Sequence, residues 1–178
     1  SEEGTYYDLF LDKIIFPIHN EKGLVVGLSG RSLKKDDAVK YINSPESKIF
    51  KKSNLIYHLY QALPSIRKQK RIILTEGYMD VIAMDQASFH ETVATMGTSL
   101  TKEHVSLLSQ ITDNIILAYD GDQAGNQATL KAIEAFNKTK VKLDVLIFPE
   151  QLDPDEFIKK HGIQALKNHI EHHLKDPF

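Results

Sequence analysis

The sequence predicts an α/β protein: a mostly parallel sheet flanked by helices, preceded by a small basic α+β unit. Beyond Arg71, short apolar β-branched runs alternate with helical patterns in the order β-α-β-α-β-α-β. That order argues for parallel strands covered by helices on both faces, with ligand chemistry at the strands' carboxyl ends. Before Arg71 the pattern is a hairpin, a polar stretch and one helix. Charge changes sign at the same place: residues 1–71 carry 13 Lys/Arg against 8 Asp/Glu, and residues 72–178 carry 9 against 16. A basic segment joined to an acidic one suits a polyanion binder with a cation-holding centre, although two solvated surfaces would give the same imbalance.

The elements follow in order. Ile14–Ile18 and Leu24–Leu28 are apolar runs around a turn at Asn20-Glu21-Lys22-Gly23, which predicts a hairpin. A loop is expected through Tyr41–Pro45, then a helix from about Asn54 to Ala62 ending before Pro64. Ile72–Thr75 predicts a strand, Tyr78–Ala87 a helix, and Thr92–Met96 a second strand stopped by Gly97. Thr101 caps an expected helix to about Gln110, Asn114–Tyr119 is a third strand, Gly125–Thr139 an amphipathic helix, and Leu143–Phe148 a fourth strand. The remaining residues read as polar helix. Three units are therefore expected: a basic unit over 1–71, an α/β unit carrying the chemistry over 72–162, and a helical segment over 163–178 leading to a further region.

Composition bounds the function. At 178 residues, 42% hydrophobic and 26% charged, the chain can bury an ordinary core. It has no cysteine, which excludes disulfides and thiolate metal sites and fits a cytoplasmic protein. No apolar run approaches the ~18 residues that span a bilayer, so no membrane partner is expected. A chain opening Ser1-Glu2-Glu3-Gly4 shows no signal peptide and is expected to be a piece of a longer protein.

Three acidic motifs fall where such a sheet places its active centre. Glu76 ends the first strand of the parallel set, Asp120-Gly121-Asp122 ends the third, and Asp153-Pro154-Asp155-Glu156 follows the fourth. Residues two apart at a strand end point the same way, so Asp120 and Asp122 can face one point beyond the sheet. Gly121 and Gly125 are expected to allow a tight turn there. Asp80, one helical turn after Glu76, can reach the same space. Two carboxylates ~4 Å apart repel by roughly 4 kcal/mol at an effective dielectric of ~20, so a cluster of four or five calls for a cation. Oxygen donors without histidine or thiolate select Mg²⁺ or Mn²⁺, and a pair of such ions ~3.5–4 Å apart serves phosphoryl transfer. Alone, each motif has an ordinary explanation: a turn after Glu76, a solvated Asp-Gly-Asp, a helix start at Asp-Pro-Asp-Glu. An EF-hand fails, because its fifth position is Ala124 and its twelfth Lys131.

Together the motifs resemble the toprim signature shared by DnaG-type primases, topoisomerases and some nucleases. Glu76-Gly77-Tyr78-Met79-Asp80-Val81, Met96–Thr101, Asp120–Gly125 and Asp153–Phe157 are similar to the bacterial primases in particular. Gly30-Arg31 and Lys40–Glu46 resemble that family's nucleotide- and template-contacting stretch, and the likeness covers about residues 12–162. The fold it implies is a toprim domain after a small basic subdomain. The activity it implies is synthesis of short RNA primers on single-stranded DNA from ribonucleoside triphosphates. Glu76, Asp120 and Asp122 would be catalytic metal ligands, with Asp80, Asp153 and Asp155 joining the metal set. Arg31, Lys40 and Lys52 would hold triphosphate or template phosphates, and Tyr41 and Asn43 would shape the pocket.

The resemblance also implies a cysteine-based zinc module before this region and a replicative-helicase contact after it, neither of which this chain shows. Val39 stands where the family commonly has proline. A toprim nuclease or topoisomerase, and a metal-dependent nucleotide-binding module without catalysis, are the alternatives. A topoisomerase would need a nucleophilic tyrosine from a separate region. The histidines 169, 172 and 173 read as a solvated face, the Arg67–Arg71 run as a solvated linker or a DNA contact, and Tyr78 and Met79 as core.

Overall fold

Around the turn at Asn20, whose Oδ1 accepts from the backbone amides of Lys22 and Leu24 at 3.0 Å each, the two apolar runs pair antiparallel. They form β1 (Lys13–His19) and β2 (Val25–Ser32). The computed structural model describes residues 8–34, 37 and 39–177; the opening Ser1-Glu2-Glu3-Gly4 lies outside them. Where a loop is expected, residues Tyr41–Asn43 form a third strand, β3, whose register sets Arg31 opposite Tyr41 and Ser29 opposite Asn43. Three residues are too few to show a period of two, and the free edge of β2 supplies the pairing.

The helix expected over Asn54–Ala62 is displaced. Tyr57 exchanges backbone hydrogen bonds with Ala94, so helix α1 spans Leu59–Gln69 instead. It runs through Pro64, whose missing amide ordinarily disfavours a helix interior. Burial of Leu59, Ala62 and Ile66 outweighs that penalty, and the helix absorbs part of the run read as a linker. Although α1 lies before residue 71, it packs in the core of the parallel sheet.

The second sheet has the order β5-β4-β6-β7-β8. Its parallel strands are β4 (Ile72–Thr75), β5 (Thr92–Ala94), β6 (Asn114–Leu117) and β7 (Lys142–Leu146). Alternating side chains divide the core. Ile72, Leu74, Ile115 and Leu117 pack on one face with α1, α3 (Lys102–Ser109) and α4 (Gln123–Phe136). Ile73 and Ile116 pack on the other with α2 (Tyr78–Gln86), α5 (Pro154–His161) and α6 (Ile163–His172). A short β8 (Leu174–Lys175), not visible as a pattern in the polar C-terminal segment, closes antiparallel on β7.

His169 is only partly solvated: its Nε2 donates to the Ile147 carbonyl at 2.8 Å and its ring stacks on Phe157, while His172 and His173 are exposed. Strand β4 hands the chain to β5 on one side, while β6 lies on its other side. The crevice between the ends of β4 and β6 is therefore the topological switch point, where open α/β sheets bind ligands. Among the described residues no helix is long and apolar enough to cross a membrane.

Candidate active site at the switch point

Glu76 leaves β4 and Asp120 leaves β6, so adjacent parallel strands deliver the two carboxylates to the crevice. Asp120 sits in a tightly folded loop. A Cβ on Gly125 would come within 2.1 Å of the Asp120 carbonyl oxygen, and one on Gly121 within 2.4 Å of the Phe148 carbonyl. Neither has a positive φ, so the glycines serve close backbone approach rather than a left-handed turn. Asp122 caps α4, accepting from the Gly125 amide at 2.7 Å. Asp153 caps α5 in the same way, accepting from Glu156 at 2.6 Å. Asp80 stands in the first turn of α2, where its Oδ2 accepts from the Gly77 amide at 3.2 Å.

The electrostatics are those of crowded acids. Burial pushes Asp80 up to about 8, with repulsion from Asp153 and Asp120 adding to it. Burial likewise raises Asp120 to about 7, reinforced by Glu76 and Asp153. Glu76 is raised by burial and by Asp122, partly offset by the Asp120 backbone amide; Asp153 is raised by burial. Glu76 Oε1 and Asp120 Oδ1 are both buried without a hydrogen-bond partner among the described residues. Orphaned carboxylate oxygens beside like charges are what a hard cation would satisfy.

In donor chemistry the residues fit a divalent ion. Among the described residues, no three carboxylates or histidines are gathered closely enough to hold one.

The antiparallel sheet supplies the opposite charge. Arg31 lies over the Tyr41 ring, 5.6 Å from its centroid, and Tyr41 in turn stacks on Tyr78. Tyr78 donates to Asn43 Oδ1 at 3.0 Å. Phe16, Tyr41, Tyr57 and Tyr78 thus clasp the small sheet to the start of α2. One cavity of 590 Å³ lies between the two sheets. It brings together Arg31, Lys40, Tyr41 and Asn43 with Glu76, Asp80, Asp120, Asp153 and Asp155.

Two expected residues stand outside this cavity. Asp122 is turned to its capping role, close enough to act electrostatically on Glu76 and Asp120. Lys52 lies in a 3₁₀ turn, its carbonyl accepting from His104 Nε2 at 2.9 Å and its amide donating to Glu46 at 3.0 Å. Sequence reasoning missed Lys159, which lines the cavity and pairs with Asp155 at 2.5 Å. The i,i+4 spacing of Asp155 and Lys159 on a helix start was the available signal. It also assigned Tyr78 and Met79 to the core alone, whereas both line the cavity and Tyr78 is buried as well.

Comparison with known proteins agrees with this geometry. Residues 1–63 match the family described as DNA primase catalytic core, N-terminal domain, and residues 73–158 match the Toprim-like family. A DNA primase of Helicobacter pylori is 47% identical over 94% of this chain and 30% of its own length. The zinc-binding and RNA polymerase domains of the Aquifex aeolicus primase superpose with a TM-score of 0.90 at 39% identity, covering 95% of this chain and 42% of that one. A DnaG primase catalytic domain bound to single-stranded DNA superposes with a TM-score of 0.84 at 39% identity, over 93% of this chain and 53% of that one. The chain thus spans under a third of its curated relative and roughly half of each solved chain. It belongs to the DnaG-type DNA primase family, as the part of the catalytic core that joins the N-terminal and Toprim-like units.

Proposed function

We propose that this chain forms the centre of a DNA-directed RNA polymerase that makes short RNA primers on single-stranded DNA during replication. The observation that carries the reading is the cavity in which Arg31 and Lys40 face Glu76, Asp80, Asp120, Asp153 and Asp155, with Lys159 paired to Asp155 on the carboxylate side. Cations on one side and desolvated carboxylates on the other suit a triphosphate bound through its phosphates and through bridging metal.

Each residue has a proposed part. Arg31 and Lys40 hold the triphosphate, and Tyr41 and Asn43 shape its ribose and base end. Glu76, Asp120 and Asp122 are the catalytic metal ligands, with Asp80, Asp153 and Asp155 supporting them. Lys52, away from the cavity, contacts template phosphates. Residues 1–71 supply Arg31 and Lys40, 72–162 the carboxylates together with Lys159, and 163–178 lead toward further parts of the protein.

The incoming ribonucleoside triphosphate is attacked at its α-phosphorus by a 3′-hydroxyl. A P–O bond forms, the bond from the α-phosphorus to the bridging oxygen breaks, pyrophosphate leaves, and the hydroxyl proton passes to water. Bound Mg²⁺ or Mn²⁺, two or more ions, would supply charge neutralisation and a more nucleophilic hydroxyl. The protein's share is orientation and exclusion of competing water. A cytoplasmic site of action at the replication fork, with a replicative helicase contacted through a region outside this chain, completes the proposal.

The test is incorporation of labelled ribonucleotides on single-stranded DNA by the full-length protein. Metal-dependent RNA product that Asp120→Ala abolishes supports the reading. Metal and nucleotide binding without any product would favour a binding module instead.

A further inference from the structure

A second cavity, of 420 Å³, opens on the other side of Glu76. Glu76 and Gly97 line both cavities, so the carboxylate stands in the partition between them. The far wall is one face of α4: Ala124, Gln127, Ala128 and Lys131 fall at i, i+3, i+4 and i+7. The near wall is the loop after β5, where Thr98 holds a buried hydroxyl oxygen with no hydrogen-bond partner among the described residues. Gly97, Gln127 and Lys131 are exposed, so the cavity is open to solvent.

The reaction proposed above needs two substrates that meet at one point, a triphosphate and a 3′-hydroxyl. The cavity on the Arg31 side is lined by three lysine or arginine side chains and the cavity on the α4 side by one. Arg31 and Lys40, with Lys159 already paired to Asp155, suit a triphosphate, and a single lysine suits one phosphodiester. Alanines provide an apolar wall for a sugar or base, and the Thr98 hydroxyl and Gln127 amide provide hydrogen bonds for ribose. The volume falls in the range of small-molecule pockets, roughly 300–1,000 Å³. The open side leaves room for a strand to continue outward.

Resting on the primase reading, we infer that the cavity between the β5–α3 loop and α4 receives the 3′-terminal ribonucleotide of the growing strand, with Lys131 on its phosphate and Thr98 on its ribose. Glu76, which lines both cavities, then stands beside the point where the attacking hydroxyl and the triphosphate meet, each reaching it from its own cavity.

The experiment uses the full-length protein, an RNA primer annealed to a DNA template, and the next complementary ribonucleotide. Lys131→Ala and Thr98→Val are expected to raise the KM for primer–template about fivefold or more while leaving the KM for the ribonucleotide within about twofold, as loss of a charge-assisted or hydrogen-bonded contact would. A primer ending in 4-thiouridine is expected to crosslink within residues 97–100 or 124–131. Unchanged primer KM in both variants, or a crosslink confined to other segments, overturns the inference while wild-type extension keeps the primase reading intact. Absence of any ribonucleotide incorporation by the wild type overturns the primase reading, and the inference with it.

Discussion

Gly125 approaches Asp120 so closely that a Cβ on the glycine would lie 2.1 Å from the aspartate's carbonyl oxygen and 2.9 Å from its Cβ. The obstacle is partly backbone, which cannot swing aside as a long side chain can. Gly125→Ala must therefore shift the Asp120 loop. A stability loss of about 1–3 kcal/mol is expected from overpacking. Ribonucleotide incorporation should fall by about a hundredfold, the scale of a 1 Å misplacement at a reacting centre. Thermal melting and an incorporation assay check both numbers. Wild-type activity in the alanine variant would mean that the position of Asp120 is immaterial.

Stability should depend on pH and metal together. Asp80 and Asp120 are raised by burial to about 8 and about 7, above their ordinary carboxylate values. The folded state therefore binds more protons than the unfolded state between those limits. The contribution of these groups is intact below the unfolded pKa and is lost as pH rises through the folded ones. A divalent cation reverses the loss, because it binds the ionised form. The rise in Tm on adding Mg²⁺ or Mn²⁺ should be greater at about pH 8 than at about pH 5.5. Asp80→Asn should flatten the pH dependence measured in a chelator. An equal metal effect at both pH values would contradict the proposed ligand set.

At the opposite ends of the strands, Arg71 bonds Glu91 through Nε and a terminal nitrogen at 2.9 Å each, and Ser65 donates to the same carboxylate at 3.1 Å. Glu91 is only 1% exposed. Arg71→Ala leaves a buried charge with the serine alone, at an expected cost of about 2 kcal/mol or more, discounted because the arginine is partly exposed. Activity per folded molecule should not change. Urea unfolding together with specific activity separates the two effects, and a loss of activity without loss of stability would contradict the assignment.

Arg31 should act through its planar shape as well as its charge. Arg31→Lys keeps the cation and loses the contact over the Tyr41 ring, and with it the two-pronged grip on phosphate proposed above. Affinity for a ribonucleoside triphosphate, measured by calorimetry with metal present, should weaken about tenfold. Retained affinity would place the triphosphate elsewhere.

Much of this was legible in the sequence because local signals carried it. The strands from Ile72, Thr92, Asn114 and Leu143 are apolar runs, and the helix after the second begins at the capping residue Thr101. Their order places Glu76 and Asp120 on neighbouring strand ends. What escaped was non-local. Strand β3 exists because β2 offers an edge, β8 because β7 does, and α1 continues through Pro64 because its buried face meets the sheet. Tyr78 was assigned to the core alone, since nothing local shows a residue that is both buried and cavity-lining. The part played by Gly125 was legible as a need for glycine and misread in cause, because close approach leaves no trace in neighbouring residues.

The most direct measurement is addition of one ribonucleotide by the full-length protein, opposite each of the four template bases, with Mn²⁺ or Mg²⁺ and with wild type beside Asp120→Ala. The account predicts addition only of the complementary ribonucleotide, only with metal, and none by the variant. Addition indifferent to the template base, or undiminished in Asp120→Ala, would contradict it.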